Sequence, residues 1–339
     1  MRAAILEDAG RIVVKEVPKP SPTENEVLVR VKYCGICGSD LHAYKTGMYG
    51  LGLTMGHEFS GDIVELGVDV KGWNVGDRVI KKPESCGECY YCRRGLTNLC
   101  EKGVEYGIGI FSPGAYAEYV VVPAGGLYKL PEELTYEQGT MVDPLSTPVR
   151  AVRLSKMKLG DTALVLGAGP LGLLTLQCAK LAGANAVYVT EKAKKRMALA
   201  KKLGADEVLN PDEVDICSRI LEITDNHGSD VVFECVGVPN TILDAMRTVR
   251  NAGKILIEGI FEEDVETRFL DVVLNEIGIK GIWSYDENDF RCAVELIRKK
   301  SVDVDSIITD TISLNYIAEK GFEALTKPEK ESAKILVAP

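Results

Sequence analysis

The stretch TALVLGAGPLG, residues 162–172, decides the fold of this 339-residue chain. Residues 162–166 form an apolar run typical of a buried strand, and residues 171–182 predict a helix, so the glycines occupy a strand-to-helix turn. Glycine there permits a tight turn, close backbone approach to a pyrophosphate and close helix packing, and the helix N-terminus presents free N–H groups to phosphates. We therefore predict a dinucleotide-binding turn at Gly167, Gly169, Pro170, Leu171 and Gly172; the alternative is a glycine turn without a ligand.

The alternation of strand and helix continues on the C-terminal side of this turn. Apolar strands at 186–189 and 231–234 are followed by helical segments at 194–203 and 241–249. Such alternation predicts an α/β fold with a doubly wound parallel sheet. Residues 1–124 instead run as short alternating apolar stretches broken by Gly, Pro and Asp, which predicts a mainly β region. After residue 280 the sequence predicts one more helix, at about 289–300, and mixed segments.

An acidic residue after the second strand bears on which dinucleotide binds. Glu191 lies nineteen residues beyond Gly172. A carboxylate at this place accepts hydrogen bonds from the ribose hydroxyls and repels a 2′-phosphate, so NAD is favoured. NADP remains the alternative, because a neighbouring basic side chain can hold that phosphate. The basic neighbours are Lys192, Lys194, Lys195 and Arg196. Arg196, Gly237, Gly259 and Ile260 complete the candidate cofactor residues.

The charge balance and the apolar tracts exclude several classes of partner. The chain carries 40 Lys and Arg against 50 Asp and Glu, a formal net charge of -10. Nucleic acids and acidic membranes attract basic surfaces, so neither is expected as a partner. The first apolar stretch ends at Glu7, which is too short for a secretory segment. Glycine and proline interrupt the longest apolar tract, 162–184, so we expect a cytoplasmic protein without a membrane span.

Four cysteines follow one another closely in a loop with Gly and Pro. They are Cys86, Cys89, Cys92 and Cys100, all within fifteen residues. Four thiolates at such spacing can close a tetrahedron around zinc and leave no position for a substrate. We therefore predict a structural zinc lobe at about 84–102. Two disulfides are the alternative, and they conflict with a reducing cytoplasm.

A second set of metal-binding residue types lies on two short motifs. The first is CGSDLH, residues 37–42, and the second is GHE, residues 56–58. A thiolate from Cys37 and an imidazole from His57 that meet in space would leave a metal with open positions, as catalysis requires. The alternatives are a redox pair formed by Cys34 and Cys37, and a buried structural role for His57. Two of the three histidines in the chain, however, lie in these motifs.

These motifs together resemble those of the zinc-containing medium-chain dehydrogenase/reductase family. Gly56-His57-Glu58-x-x-Gly61-x5-Gly67-x-x-Val70 matches its zinc signature, and the cysteine lobe and glycine turn follow in the family's order. The resemblance implies a GroES-like, mainly β catalytic domain at 1–147 and a Rossmann domain at 148–285. It implies that residues 286–339 return to the catalytic domain, and that the chain forms a homodimer or homotetramer.

The resemblance also implies roles for single residues. Cys37 and His57 correspond to ligands of a catalytic zinc, and Glu58 to an occasional or water-mediated ligand. The third protein ligand falls at Asp143, where classical alcohol dehydrogenases have Cys and polyol dehydrogenases have Glu. The acidic residue places the chain with the polyol enzymes, with two zinc ions per chain. Asp is one methylene shorter than Glu, so a bridging water is the alternative to direct coordination.

The reaction implied is hydride transfer from a secondary alcohol of a polyol or sugar-derived substrate to NAD. Zinc lowers the pKa of the bound hydroxyl, and Ser39 and His42 resemble the family's relay that carries the proton to water. Asp40 is expected to orient His57. A threonine- or aldose-type dehydrogenase is the alternative within the family, and a non-catalytic scaffold is the alternative outside enzymes.

Overall fold

The computed structural model describes residues 1–327 and 331–339. The chain divides into two compact units. Unit 1 comprises residues 1–144, 285–299 and 308–339, and unit 2 comprises residues 145–284 and 300–307. The boundaries at 147/148 and 285/286 stay a prediction from the sequence. None of the helices in the described residues is long and apolar enough to cross a membrane.

The first part of unit 1 is mainly β, as its alternating pattern predicts. Its strands are β1 (Arg2–Asp8), β2 (Arg11–Glu16), β3 (Glu26–Gly35), β4 (Glu58–Leu66), β5 (Arg78–Lys81), β6 (Tyr119–Pro123) and β7 (Leu127–Lys129). Its helices are α1 (Gly38–Thr46) and α2 (Tyr136–Thr140), and short 3-10 turns lie at Cys92–Arg94, Thr97–Leu99, Gly103–Tyr106 and Ala124–Gly126. Helix α3 (Val142–Ser155) begins in unit 1 and ends in unit 2.

Unit 2 has the strand and helix alternation that the sequence predicts. In chain order its elements are β8 (Thr162–Leu166), α4 (Pro170–Leu181), β9 (Ala186–Thr190), α5 (Lys194–Lys202), β10 (Glu207–Leu209), α6 (Ile216–Ile223), β11 (Ser229–Glu234), α7 (Pro239–Thr248), β12 (Val249–Ile257), α8 (Phe269–Leu274) and β13 (Gly278–Gly281). The six strands are parallel in the order β10-β9-β8-β11-β12-β13. This is the Rossmann order, and it confirms the predicted doubly wound sheet.

The last part of the chain completes unit 1. It forms α9 (Glu287–Arg298), β14 (Ile308–Ser313), a 3-10 turn (Leu314–Tyr316), a π-helix (Ile317–Glu323), α10 (Ala324–Thr326) and β15 (Lys334–Ala338). Helix α9 begins two residues before the predicted start because Asp286 caps it: its carboxylate accepts from the backbone N–H groups of Asn288 and Asp289.

The sheet of unit 1 joins strands from both ends of the chain. Its order is β14-β15-β3-β4-β5-β7, and β6 also pairs with β3. Strand β15 is antiparallel to β3, with Leu336 opposite Gly35. Strand β4 is antiparallel to β3 on the other side, with Glu58 opposite the same Gly35. The ends of three strands distant in sequence therefore meet at Gly35, just before the CGSDLH motif.

Candidate active site

Cys37 lies at the start of helix α1, where the chain leaves strand β3. Its backbone N–H donates to the Asp40 carboxylate over 3.1 Å, which fixes the first turn of the helix. Its sulfur accepts a hydrogen bond from the Ser39 hydroxyl at 3.3 Å. Cys37 is therefore held in place by contacts within its own motif.

His57 and Glu58 reach Cys37 because β4 begins opposite the end of β3. Ligand atoms of Cys37, His57 and Glu58 all lie within 4.8 Å of one another. Glycine at position 35 makes room for this cluster, since a Cβ there would lie 2.3 Å from Glu58 Oε2. His57 and Glu58 are 8% and 2% exposed. The structure thus brings together a thiol, an imidazole and a carboxyl that the sequence places on separate motifs.

Asp40 connects helix α1 to the imidazole of His57. Its Oδ1 lies 3.5 Å from His57 Nδ1, and its Oδ2 accepts a hydrogen bond from the Tyr116 hydroxyl at 2.6 Å. Asp40 and Tyr116 are both fully buried. Burial raises the pKa of Tyr116, and the Asp40 charge raises it further, so this phenol remains a donor. Asp40 thus lies between His57 and Tyr116, and the orienting role expected for it stays a prediction; Tyr116 had not been predicted from the sequence.

Lys334, at the start of β15, forms a buried ion pair with Glu58. The ammonium contacts Glu58 Oε2 and donates to the carbonyl of Ile36 at 2.9 Å. Both side chains are almost completely buried. Burial opposes the charge on Lys334, but the Glu58 carboxylate outweighs it and raises the pKa of the ammonium. The sequence signal for this residue is slight: a single Lys before the apolar run ILVA.

Asp143 lies in the first turn of α3. Among the residues that the structure describes, it is not part of the group formed by Cys37, His57 and Glu58. Its Oδ2 accepts a hydrogen bond from the hydroxyl of Tyr285, whose ring is buried. Burial raises the pKa of Tyr285 well above its usual value, and the charges of Asp143, Glu58 and Cys37 raise it further. Tyr285 and Asp143 therefore form a pair beside the cluster.

The two predicted proton-relay residues lie on helix α1. Ser39 contacts the sulfur of Cys37, whereas His42 is half-buried one turn farther along. Tyr49 also lies near Ser39, and burial raises the pKa of its phenol to about 12. Tyr49 had no signal in the sequence beyond being an aromatic residue in a glycine-rich loop.

The four cysteines of the predicted zinc lobe come together in unit 1. Their sulfurs lie within 4.8 Å of one another, with Cys86 Sγ 3.5 Å from Cys100 Sγ and 3.9 Å from Cys92 Sγ. A zinc tetrahedron with bonds of about 2.3 Å has sulfur–sulfur edges of about 3.8 Å, so the donor set fits this metal. Backbone N–H groups of Cys86, Cys89 and Cys92 point at neighbouring sulfurs. All four cysteines are free, which contradicts the disulfide alternative.

The glycine turn of unit 2 has the geometry that the dinucleotide motif requires. Gly167 has a φ of +96°, and a Cβ on Gly172 would lie 1.9 Å from the Gly167 carbonyl oxygen. Gly169 is the N-cap of α4, Pro170 and Leu171 open the helix, and a Cβ on Gly169 would meet nothing within 4 Å. Two glycines thus serve close packing, while the third faces the open space from which a phosphate can approach.

The other predicted cofactor residues cluster at the same edge of the parallel sheet. Glu191 follows β9, and its carboxylate accepts from the backbone N–H of Ala168 at 3.1 Å. Arg196 is buried in α5, which lowers the pKa of its guanidinium. A Cβ on Gly237 would lie 2.3 Å from the carbonyl oxygen of Ile260, and one on Gly259 would lie 2.3 Å from the Gly237 nitrogen. The turns after β11 and β12 therefore touch through their backbones.

Two buried carboxyls near these turns were not predicted. Glu234 ends β11 and accepts from the backbone N–H groups of Val236 and Gly237 at 2.9 and 2.8 Å. Glu258 follows β12 and contacts the Thr175 hydroxyl at 3.2 Å and the Cys235 thiol at 3.5 Å. Burial raises the pKa of Glu258 to about 8. Neither residue stands out in the sequence, because each is a single charge at the end of an apolar strand.

Comparison with family models agrees with both units. Residues 23–132 match the alcohol dehydrogenase GroES-like domain, and residues 170–299 match the zinc-binding dehydrogenase model. Together these two matches cover well over half of the chain. The mainly β part and the Rossmann part are therefore each recognised in their own right, as predicted.

Relatives match over the whole length. The (R,R)-butanediol dehydrogenase of Bacillus subtilis is 37% identical, with 100% of each chain covered. The sorbitol dehydrogenase of Halalkalibacterium halodurans is 34% identical over 97% of this chain and 96% of its own. The L-threonine 3-dehydrogenase of Pyrococcus furiosus is 36% identical over 94% and 92%. A solved zinc-binding dehydrogenase from Sinorhizobium meliloti, bound to NADP, has a TM-score of 0.90 at 33% identity, covering 100% and 99%.

The chain belongs to the zinc-containing medium-chain dehydrogenase/reductase family, with the alcohol and polyol dehydrogenases. It is a zinc-type alcohol dehydrogenase that uses a nicotinamide cofactor and acts on small-molecule alcohols. The family and the fold predicted from the motifs are thereby confirmed.

Proposed function

We propose that this protein oxidises a secondary alcohol of a small polyol or diol with NAD, at a zinc ion held by Cys37 and His57. The observation that carries the proposal is the cluster of Cys37, His57 and Glu58, whose ligand atoms lie within 4.8 Å of one another. A thiol, an imidazole and a carboxyl are all zinc ligands, and three protein ligands leave a position for a substrate oxygen.

The bound metal would supply Lewis-acid activation of the alcohol hydroxyl, which lowers its pKa. The chain's own residues prepare the site for this. Asp40 faces His57 Nδ1, which leaves Nε2 for the metal and strengthens the imidazole as a ligand. Lys334 balances the charge of Glu58, so this carboxylate is a ligand that can be engaged or released. Asp143 takes the third family position, directly or through a water molecule.

Ser39 and His42 are the residues we assign to proton release. The Ser39 hydroxyl lies 3.3 Å from the Cys37 sulfur, within reach of an oxygen held beside that ligand. His42 lies on the same helix and is only half-buried, so it can pass a proton to solvent. The four cysteines of the lobe would hold a second, structural zinc, which gives two per chain.

NAD is the proposed cofactor, with its pyrophosphate at the glycine turn. Glu191 is the supporting residue, since its carboxylate lies against that turn at the position that meets the ribose hydroxyls. Arg196 is buried rather than extended toward solvent, so it offers a 2′-phosphate little. Because a relative has been solved with NADP bound, the direct test is to compare turnover with NAD and with NADP at equal concentrations.

The acidic residue at position 143 and two relatives named for diol and polyol substrates support a polyol or diol substrate. The threonine dehydrogenase relative at 36% identity makes L-threonine the second candidate. A reduced four-thiol lobe fits the cytoplasm as the compartment.

A homo-oligomer is also proposed, formed through the edge of the parallel sheet. Strand β13 is the last strand in its order and is exposed along its whole length. Helix α8, beside it in the chain, exposes Phe269, Val273 and Leu274 by 66%, 71% and 69%. Open edges with apolar neighbours favour pairing with another strand. We infer that a second copy of this chain supplies that strand. Light scattering tests this by comparing the molar mass of Val273→Lys in solution with that of the wild type.

The function is tested by NADH formation with a panel of diols, polyols, aldoses and L-threonine, before and after zinc chelation. We expect chelator-sensitive activity that is highest on a diol or polyol. Activity highest on threonine would replace the substrate class, and activity that survives removal of all zinc would overturn the proposal.

A further inference from the structure

Tyr285 is placed by the start of helix α9. It precedes the N-cap residue Asp286, whose carboxylate accepts from Asn288 and Asp289 N–H groups at 2.9 and 3.1 Å. Asp289 accepts in return from the backbone N–H of Asp286 at 3.1 Å. This reciprocal capping box fixes the direction in which the chain enters the helix. These hydrogen bonds fix Asp286, the residue that follows Tyr285, and none of the three involves a residue of the metal cluster.

The ring of Tyr285 is fixed by an aromatic contact from the same helix. It stacks on Phe290 with ring centroids 6.3 Å apart and an interplanar angle of 22°. Residues before the N-cap and at the fourth helical position commonly pack in this way and set the entry angle of the chain. Phe290 is fully buried and also packs edge-on against Tyr128, 5.5 Å away. Phe290 thus supports the Tyr285 ring directly, and Tyr128 in turn packs on Phe290.

The hydroxyl at the end of this supported ring donates to Asp143 Oδ2. Tyr285 is 5% exposed, and the charges of Glu58 and Cys37 also act on it. A hydrogen bond from a neutral hydroxyl to a carboxylate is stronger than one between two neutral groups, so this contact favours one orientation of Asp143.

We propose that Tyr285 is a positioning residue of the catalytic metal site, which acts by holding the Asp143 carboxylate beside the Cys37, His57 and Glu58 cluster. The inference rests on the proposed function. The chain has Asp where polyol dehydrogenases have the longer Glu, so the orientation of this carboxylate decides whether it reaches the metal or a hydroxyl bound there. Residues that orient metal ligands typically change metal affinity or activity by about 10- to 100-fold.

The first test compares Tyr285→Phe with Tyr128→Phe in the full-length, zinc-loaded protein. Both variants remove one hydroxyl from the same aromatic group, and only the first removes the donor to Asp143. Zinc release to an excess of chelator is followed by a colorimetric zinc indicator, and the lobe zinc serves as internal reference. We expect Tyr285→Phe to release the catalytic zinc about tenfold faster and Tyr128→Phe to match the wild type. Equal rates for the two variants would overturn the proposal.

The second test asks whether Tyr285 acts through Asp143. Catalytic zinc release and kcat/KM for the alcohol are measured for Tyr285→Phe, Asp143→Asn and the double variant. If Tyr285 acts only by holding the carboxylate, the double variant behaves like Asp143→Asn, and KM for the cofactor is unchanged in all three. Independent, multiplicative losses would show a general packing role and refute a positioning role.

The two proposals fail in different ways. If the wild type oxidises no alcohol, the proposed function falls, while the zinc-release series still decides the role of Tyr285. If the wild type is active and the series shows no difference, only the positioning role falls. Near-ultraviolet circular dichroism of each variant shows whether the aromatic packing is intact. Asp143→Asn changes none of the aromatic rings, so its zinc-release rate reports on the carboxylate alone.

Discussion

The two clusters of metal-binding residues in unit 1 are built in opposite ways. The cysteine lobe takes all its ligands from one loop of fifteen residues, lies partly exposed and is bordered by an exposed ion pair between Lys102 and Glu88. The Cys37 cluster takes its groups from the start of α1 and the start of β4, and its neighbours Asp143, Tyr285 and Lys334 come from still farther along the chain. Its charges are buried and depend on one another.

The difference shows what each cluster is suited to do. A local set of four like ligands needs little from the rest of the fold and can only hold a metal. A cluster of unlike groups, supported by buried acids and a buried ammonium, depends on distant parts of the fold and is suited to a metal site whose ligands are oriented by their neighbours.

Substitutions in the two clusters should have different consequences: loss of activity at the Cys37 cluster and loss of stability at the cysteine lobe. We expect Cys37→Ala to lower kcat/KM for the alcohol by about 10³-fold or more, because metal activation of the hydroxyl is worth several kcal/mol. Its thermal midpoint should stay close to that of the wild type. Cys92→Ala should do the reverse, with a lowered midpoint and a smaller loss of kcat per folded molecule. Comparable activity losses in both variants would remove the division of roles.

The buried ion pair should matter far more than the exposed one. Lys334→Met leaves the Glu58 carboxylate buried without its cation, so we expect the free energy of unfolding in urea to fall by about 3–5 kcal/mol. Lys102→Met removes the matching cation at the cysteine lobe, and its unfolding free energy should equal that of the wild type within error. Adding Glu58→Gln to Lys334→Met should recover part of the loss.

The buried carboxyl of Glu258 should make the free energy of unfolding depend on pH. Glu258 keeps its proton in the folded protein up to about pH 8, whereas in the unfolded chain it ionises near 4.5. Folding therefore takes up a proton between these values, and the free energy of unfolding falls as pH rises through this window. Glu258→Gln lacks this dependence. Between pH 5 and 8 its unfolding free energy should gain up to about 4 kcal/mol relative to the wild type.

The groups that face Glu258 are the Thr175 hydroxyl, the Cys235 thiol and the Glu234 carboxyl. Burial raises the pKa of the Cys235 thiol, so it stays neutral across this range. Urea titrations at three pH values on both proteins give the measurement. A constant difference between them would mean that Glu258 is ionised in the folded state.

The smallest expected effect comes from the residue behind Asp40. Tyr116→Phe removes one hydrogen bond to that carboxylate and leaves its contact with His57, so we expect about a tenfold loss in kcat/KM or in zinc affinity. KM for the cofactor should not change. Tyr44→Phe is the matched control, since Tyr44 packs on the same Phe322 ring as Tyr116. Loss of activity in both variants would point to packing rather than to Asp40.

The same contrast explains how far the sequence predicts this molecule. Ligands that are close in sequence, such as Cys86 to Cys100, reveal their chemistry by spacing alone, and the glycine turn is likewise a local motif. The partners Lys334 and Tyr285 lie 276 and 142 residues from the groups they contact. Each is one ordinary residue in an ordinary strand or turn. The capping residues around Asp286 do predict where Tyr285 sits, but the target of its hydroxyl depends on how α3 packs.

The pairing of Glu58 with Lys334 also bears on how the protein is made. A ribosome adds about 5–20 residues per second, so the 276 residues that separate the two take roughly 14–55 seconds to synthesise. During that time the nascent GroES-like part has its acid without its base, and β3 has no β15 to pair with. The cysteine lobe has all four of its thiols once Cys100 has been added. The four thiols of the lobe are therefore complete early in translation, whereas the ion pair of Glu58 can form only after Lys334 has been added.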